Sequence, residues 1–213
     1  MLLGPPGSGK GTLARELGRR LRVRHLSTGE LFRHAITQRA ALGKAVSRYV
    51  TSGRLVPDAL VVNVMTSHLT PGLLRRGVVM DGFPRTIGQA KGLEAHLASV
   101  RRPLTGALYL DCPQQVLVDR LGGRQVCSRC GRNYHVRNMP PAREGVCDEC
   151  GGALIARKDD QVGTMTTRLR IDRVQARPLL AYYQRKQLLY RVDGTGSSAA
   201  VCARVVRLLR THD

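Results

Sequence analysis

Short apolar runs alternate with longer stretches of helical period along most of this chain. The runs at 1–3, 24–26, 78–81, 107–111 and 190–193 read as strands. Several end in Asp or Gly, which suits the place where a strand's carboxyl end meets a ligand crevice. Between them, apolar residues recur at a spacing of three and four. Near the carboxyl end Val201, Val205 and Leu208 fall on one helix face, with Arg204 and Arg207 on the other. This alternation predicts βαβ units, and so an α/β fold with a five-stranded parallel sheet flanked by helices. Pro57 and Pro113 are placed where the first turn of a helix tolerates proline.

Two segments break the alternation. Residues 29–53 carry two helical runs with no strand between them, which predicts a small helical insertion. Residues 122–158 are rich in Gly, Pro and Cys and lack helical period, which predicts an inserted subdomain. Both are rooted after strand ends, where flaps over a site are carried. No apolar run approaches the ~20 residues of a membrane span. A strand and a glycine-rich loop stand where a leader needs an unbroken apolar core, so a cytoplasmic protein is expected.

The loop itself is Gly4-Pro5-Pro6-Gly7-Ser8-Gly9-Lys10-Gly11-Thr12, between a strand and an amphipathic helix. It fits the phosphate-loop pattern G-x-x-x-x-G-K, except that Gly11 follows the lysine and Thr12 comes one place later. Closely spaced glycines let successive backbone N–H groups converge on a phosphate. Lys10 adds a mobile charge, and the helix start adds its dipole.

Bulk charge gives weaker information. The net charge of +20 comes from 30 Arg and 5 Lys against 15 acidic residues in 213. It fits either a nucleic-acid binder or an Arg-biased protein whose ligands are polyanionic nucleotides. The arginines are scattered, with no dense tail and no aromatic-interleaved stripe, so specific nucleic-acid binding is not expected. With arginine at about one position in seven, a lone arginine says little unless a motif surrounds it.

Cysteines are more pointed. Cys127-x-x-Cys130 and Cys147-x-x-Cys150 have the spacing of two knuckles, each followed by a glycine, Gly131 and Gly151. Four thiolates fill a tetrahedral Zn²⁺ shell and leave no open position, which makes the metal structural. Iron suits the same cage. In a subdomain too small for its own core, metal binding supplies folding energy. His135 reads as a surface or hydrogen-bonding residue rather than a fifth ligand. Cys112 and Cys202 stand in apolar patterns and read as buried thiols.

Four further strings complete the picture: Ser27-Thr28-Gly29-Glu30-Leu31-Phe32-Arg33, Gly53-Arg54-Leu55-Val56-Pro57-Asp58, Asp81-Gly82-Phe83-Pro84-Arg85-Thr86 and Arg157-Lys158-Asp159-Asp160. With the phosphate loop, and in this order, they resemble the adenylate kinases of the bacterial type with a long zinc-binding lid. The resemblance implies a P-loop core of 1–26, 57–122 and 161–213. It also implies an AMP-binding insertion of 27–56 and a lid of 123–160. The implied reaction is reversible, Mg²⁺-dependent phosphoryl transfer, ATP plus AMP giving two ADP, by a monomer without membrane or nucleic-acid partners.

The same resemblance assigns site residues. ATP falls to Gly7, Ser8, Gly9, Lys10, Gly11, Thr12, Arg124, Asn133, Tyr134 and Gly196, with Tyr134 packing against the donor base. AMP falls to Thr28, Arg33, Arg54, Val56, Gly82, Arg85, Gln89, Arg157 and Arg168, with Thr28 and Gln89 selecting adenine. Lys10, Arg85, Arg120, Arg124, Arg157 and Arg168 surround the moving phosphoryl group, and Asp81 orients waters on Mg²⁺. Guanidinium forks match phosphate oxygens in geometry. Another nucleoside monophosphate kinase, or an AMP kinase using GTP, is a neighbouring reading. A P-loop and zinc-knuckle nucleic-acid-binding protein is the reading from a different class.

Three departures from the family pattern stand out. Only three residues precede the phosphate loop, which bears on stability more than on chemistry. Gln125 follows Arg124 where a second Arg is frequent. Gly88 replaces a common Pro, and a looser start to the following helix is expected.

Overall fold

The computed structural model describes residues 1–210; residues 211–213, the end of the expected core segment 161–213, lie outside the described residues. Strand β1 (Leu2–Leu3) leads through the glycine loop into α1 (Lys10–Leu21), then β2 (Arg24–Ser27) and the paired helices α2 (Thr28–Thr37) and α3 (Ala41–Ser52). Next come α4 (Asp58–His68), α5 (Pro71–Arg76), β3 (Val78–Asp81), α6 (Ile87–Ser99), β4 (Ala107–Asp111) and α7 (Gln114–Gly122). The cysteine-rich segment holds β5 (Arg124–Cys127), β6 (Asn133–His135), β7 (Leu154–Ala156) and a 3₁₀ turn, Lys158–Asp160. Helix α8 (Val162–Arg185), β8 (Leu189–Asp193) and α9 (Ser198–Arg210) close the chain.

The main sheet is parallel throughout, in the order β2-β3-β1-β4-β8. The chain leaves β1 for one side of the sheet and later crosses to β4 on the other, so the loop after β1 opens into the crevice between diverging connections. Alternate residues of each strand feed two cores. Leu2, Val79, Leu108, Leu110 and Val192 pack with Leu13, Leu17, Val201 and Val205 of α1 and α9. Leu3, Met80 and Ala107 pack on the other face with Met65, Phe83, Leu93 and Leu179. The central strand is short but both its leucines are buried, and the Met1 amino group donates to Gly106 O at 2.8 Å. Burial of this kind, roughly 1.5–3 kcal/mol per large side chain, anchors the loop that follows.

Helices α2 and α3 follow one another with no strand between them. Their crossing is tight at Gly43, where an added Cβ would lie 2.2 Å from Ala35 O. The cysteine-rich segment proves to be a three-stranded antiparallel sheet, β6-β5-β7, whose buried cluster among the described residues is Cys127, Tyr134 and Cys147 with Cys150 and Leu154 against it.

Two expectations are corrected. Pro57 and Pro113 occupy the capping position one residue before their helices, not the first turn. Gly88 does not loosen the start of α6: Thr86 caps that helix, its Oγ1 accepting from Gln89 N at 3.1 Å. A Cβ on Gly88 would meet Asp58 Oδ2 at 2.4 Å, so the missing side chain lets α4 approach.

Candidate active site

The glycine loop wraps the start of α1. Gly7 and Gly9 have φ of 85° and 95°, a region open to glycine, and a Cβ on Gly7 would meet Leu117 O at 2.8 Å. Lys10 folds back on the loop, its Nζ donating to Gly4 O (2.5 Å) and Pro5 O (2.8 Å). Burial pushes the Lys10 ammonium down to about 8, against the pull of Asp81 and Asp172. Arg120 braces the loop from α7, donating to Gly194 O and Gly196 O, both at 2.9 Å, and to Ser8 O at 3.4 Å.

Above the loop lies a cavity of about 620 Å³. Gly7, Ser8, Gly9, Gly11 and Thr12 form its floor, and Asp81, Gly82, Asn133 and Gly196 its sides. Seven cations line it: Lys10, Arg33, Arg85, Arg120, Arg124, Arg157 and Arg168. Burial works against ionisation of Asp81, but His25 and Lys10 outweigh it and hold the carboxyl below its ordinary range. A second cavity of about 70 Å³ adjoins the first, lined by Thr28, Arg54, Val56 and Gln89. Arg33, Arg85, Arg157, Arg168 and Gly82 line both cavities, forming a guanidinium partition between them.

These guanidiniums differ in their partners. Arg124 forks onto Asp160 (2.6 and 2.5 Å), Arg157 pairs with Asp159, and Arg168 donates to Asp159 Oδ2 (3.0 Å) and Asp160 Oδ1 (2.8 Å). Arg85 Nε donates to Gly82 O at 3.0 Å. Burial pushes the Arg33 guanidinium down to about 9, with Arg157 adding repulsion. Arg33 is nonetheless charged at neutral pH and aimed at a cavity that can supply an anion.

On the smaller cavity, Thr28 Oγ1 donates to Gly82 O at 2.9 Å. Gln89 is buried, its Oε1 accepting from Arg85 N (2.8 Å) and its Nε2 donating to Asp58 Oδ1 (2.9 Å). One amide hydrogen of Gln89 and the hydroxyl lone pairs of Thr28 are left for a ligand.

The four knuckle cysteines converge so that all their Sγ atoms lie within 4.8 Å of one another. Two separations are 3.5 Å (Cys127–Cys150) and 3.6 Å (Cys130–Cys147). A tetrahedron with Zn–S bonds of about 2.3 Å has edges of about 3.8 Å, so the cage fits. Donors also face the sulfurs as thiolates require: Arg129 N and Cys130 N to Cys127 Sγ, and Tyr134 OH to Cys147 Sγ at 3.4 Å.

Comparison with known proteins agrees with this geometry. The adenylate kinase family profile matches residues 2–188. The chain belongs to the adenylate kinase family. It is 43% identical to the adenylate kinase of Moorella thermoacetica over 98% of this chain and 96% of that one. It is 39% identical to that of Clostridium tetani (98% and 97%) and 40% identical to that of Carboxydothermus hydrogenoformans (99% and 98%). The protein is therefore a phosphotransferase of the P-loop adenylate kinase fold, and its reaction is phosphoryl transfer, ATP plus AMP giving two ADP. Among the described residues no helix is long and apolar enough to cross a membrane.

Some residues sit differently from what the family resemblance suggests. Tyr134 lines the larger cavity yet is only 2% exposed, its hydroxyl engaged by Cys147 Sγ and Asp148 N. Cys112 is not a buried strand thiol; it lies half-buried past β4, 3.8 Å from Arg120 Nη1. Cys202 is fully buried and His135 hydrogen-bonds Asp119 O at 3.0 Å, both as expected. Sequence reasoning missed Asp172, which lines the larger cavity within electrostatic reach of Lys10. Burial pushes its carboxyl up, while Lys10, Arg85 and Arg168 pull it down. Its spacing of four from Arg168 on α8 was the available signal. Asp58, which anchors Gln89 and Thr86, was missed as well.

Proposed function

We propose that the larger cavity holds ATP, the smaller one AMP, and that the phosphoryl group crosses at the partition of Arg33, Arg85, Arg157 and Arg168. The carrying observation is that these four guanidiniums line both cavities. An AMP phosphate oxygen is already anionic at neutral pH, so no strong base is needed and catalysis rests on alignment and charge neutralisation. Lys10 and the amides of Gly7 to Thr12 take the donor phosphates, with Lys10 leaving the Gly4 and Pro5 carbonyls to do so. Arg33 and Arg85 clamp the AMP phosphate. Arg124, Arg157 and Arg168 neutralise the group in flight, while Arg120, committed to backbone carbonyls, holds the loop in shape. Thr28 accepts from the adenine amino group, Gln89 donates to a ring nitrogen, and Arg54 and Val56 line the base pocket.

Asp81 fits a magnesium ion held chiefly by phosphates, because its ionised carboxylate flanks the loop beside Lys10 and Gly11. Bound there, Mg²⁺ neutralises phosphate charge. Asp81 would accept hydrogen bonds from the ion's waters. In the lid, Cys127, Cys130, Cys147 and Cys150 hold Zn²⁺, which supplies rigidity rather than reactivity. Closure of lid and insertion excludes water, so the donor is not hydrolysed. A monomer acting in the cytoplasm, where its nucleotide substrates are, belongs to the same proposal.

A phosphotransfer assay over all nucleoside monophosphates, with ATP and GTP as donors, tests this reading. AMP with ATP is expected to be best, and Arg85→Ala to cost at least about a hundredfold in kcat/KM, since it removes charge from the transition state. Turnover of UMP or CMP above AMP refutes the acceptor assignment.

A further inference from the structure

We propose that Arg15 is a positioning residue that couples the two insertions, so that donor and acceptor sites close together and each ligand raises affinity for the other. This rests on the donor and acceptor assignment above. Arg15 lies on α1, five residues past Lys10, and is remote from the partition in sequence. Its Nη2 carries two hydrogens, and each has a different destination. One goes to Glu30 Oε1 at 2.6 Å, in the first turn of α2 in the helical insertion. The other goes to Gly131 O at 2.7 Å, in the first knuckle of the lid.

Both acceptors are fixed to the parts they report on. Glu30 N donates to Ser27 Oγ, so Glu30 is held in the capped turn that also carries Thr28 and precedes Arg33. Gly131 has φ 70° and donates its N–H to Cys127 O at 3.0 Å, so its carbonyl moves with the cysteine cage. One turn along α1, Arg19 donates to Glu149 Oε1 at 2.5 Å, in the second knuckle. Arg19 thus touches the lid alone, and Arg15 touches both movable parts.

The coupling follows from side-chain entropy. A free arginine samples many rotamers, and fixing it has a definite entropic cost. When the lid arrives and Gly131 O takes one hydrogen, Arg15 is already ordered for Glu30. The second closure then avoids that cost, which is positive cooperativity between the two insertions. An exposed ion pair alone is worth little; here one guanidinium, three-quarters buried, serves two moving partners at once.

Calorimetric titration of AMP, with and without a non-hydrolysable ATP analogue, tests the proposal on the intact protein. Wild type is expected to bind AMP more tightly with the analogue present. Arg15→Ala is expected to lower that ratio at least about fivefold, the lower end of ordinary coupling between sites. AMP affinity measured alone should stay within about twofold, since Arg15 lines neither cavity. Arg15→Met, which keeps the stem but carries no donor, should lose coupling too, and Arg19→Ala should weaken the analogue while sparing the ratio. An unchanged ratio in Arg15→Ala, or an equal fall in Arg19→Ala, overturns the proposal. Wild-type protein that binds either ligand but never both overturns the two-site reading instead.

Discussion

Replacing Asp160 by Asn probes how the guanidinium cluster is held when no phosphate is present. The Asp160 side chain is 5% exposed and accepts from Arg124 Nε (2.6 Å), Arg124 Nη2 (2.5 Å) and Arg168 Nη1 (2.8 Å). Removing one partner of a buried ion pair costs about 3–5 kcal/mol, because the remaining charge stays buried and unpaired. Asn keeps a neutral acceptor oxygen, so the low end, about 3 kcal/mol, is expected. For a chain of this length 1 kcal/mol corresponds to about 2–4 °C in Tm, which gives a drop of about 6–12 °C by differential scanning calorimetry. Saturating ATP should shrink the drop by more than half, since phosphate oxygens can take the released donors. A ligand-free variant melting within about 1 °C of wild type refutes the view that these carboxylates carry the cluster.

Asp159 gives a pH signature. Burial disfavours its charge, but Arg157, Arg168 and Arg33 hold the carboxyl far below its ordinary 3.8. The unfolded chain therefore takes up this proton first as pH falls, so the stabilisation is complete at neutral pH and is lost below about 4. Acid unfolding of Asp159→Asn should be correspondingly flatter, and an identical pH profile counts against the cause given. Gly43→Ala, despite better helix propensity, should destabilise by about 1–3 kcal/mol in urea melts, because the nearest atom is backbone, Ala35 O; a gain in stability contradicts the packing. Metal stripping should abolish hydrogen-exchange protection in β5, β6 and β7 while sparing the parallel sheet, since the lid cluster has only Tyr134 and Leu154 beside its cysteines. Equal protection with and without metal contradicts that.

Much of the fold was legible because both faces of a parallel sheet are buried. Strands at 78–81 and 107–111 show as continuous apolar runs and match β3 and β4 in extent. The cysteine spacing and phosphate loop were legible because each demands fixed residue types at fixed intervals. The lid strands were not: Arg124–Cys127 and Asn133–His135 have no apolar alternation, being ordered by a cage instead of a core. Arg15, Glu30 and Glu149 gave no signal either. In a chain this rich in arginine, a guanidinium with work to do looks like any other until its partners, up to 130 residues away, are seen.

The inward fold of Lys10 has a consequence for which anions succeed at the loop. The ammonium already has two carbonyl acceptors, at 2.5 and 2.8 Å. An incoming anion therefore exchanges contacts at Lys10 and gains little there. Net attraction must come from loop amides and arginines farther out, which a single small ion cannot reach together. Inorganic phosphate or sulfate is thus a poor competitor, and discrimination follows from the length of the polyphosphate chain rather than from charge density at any one point.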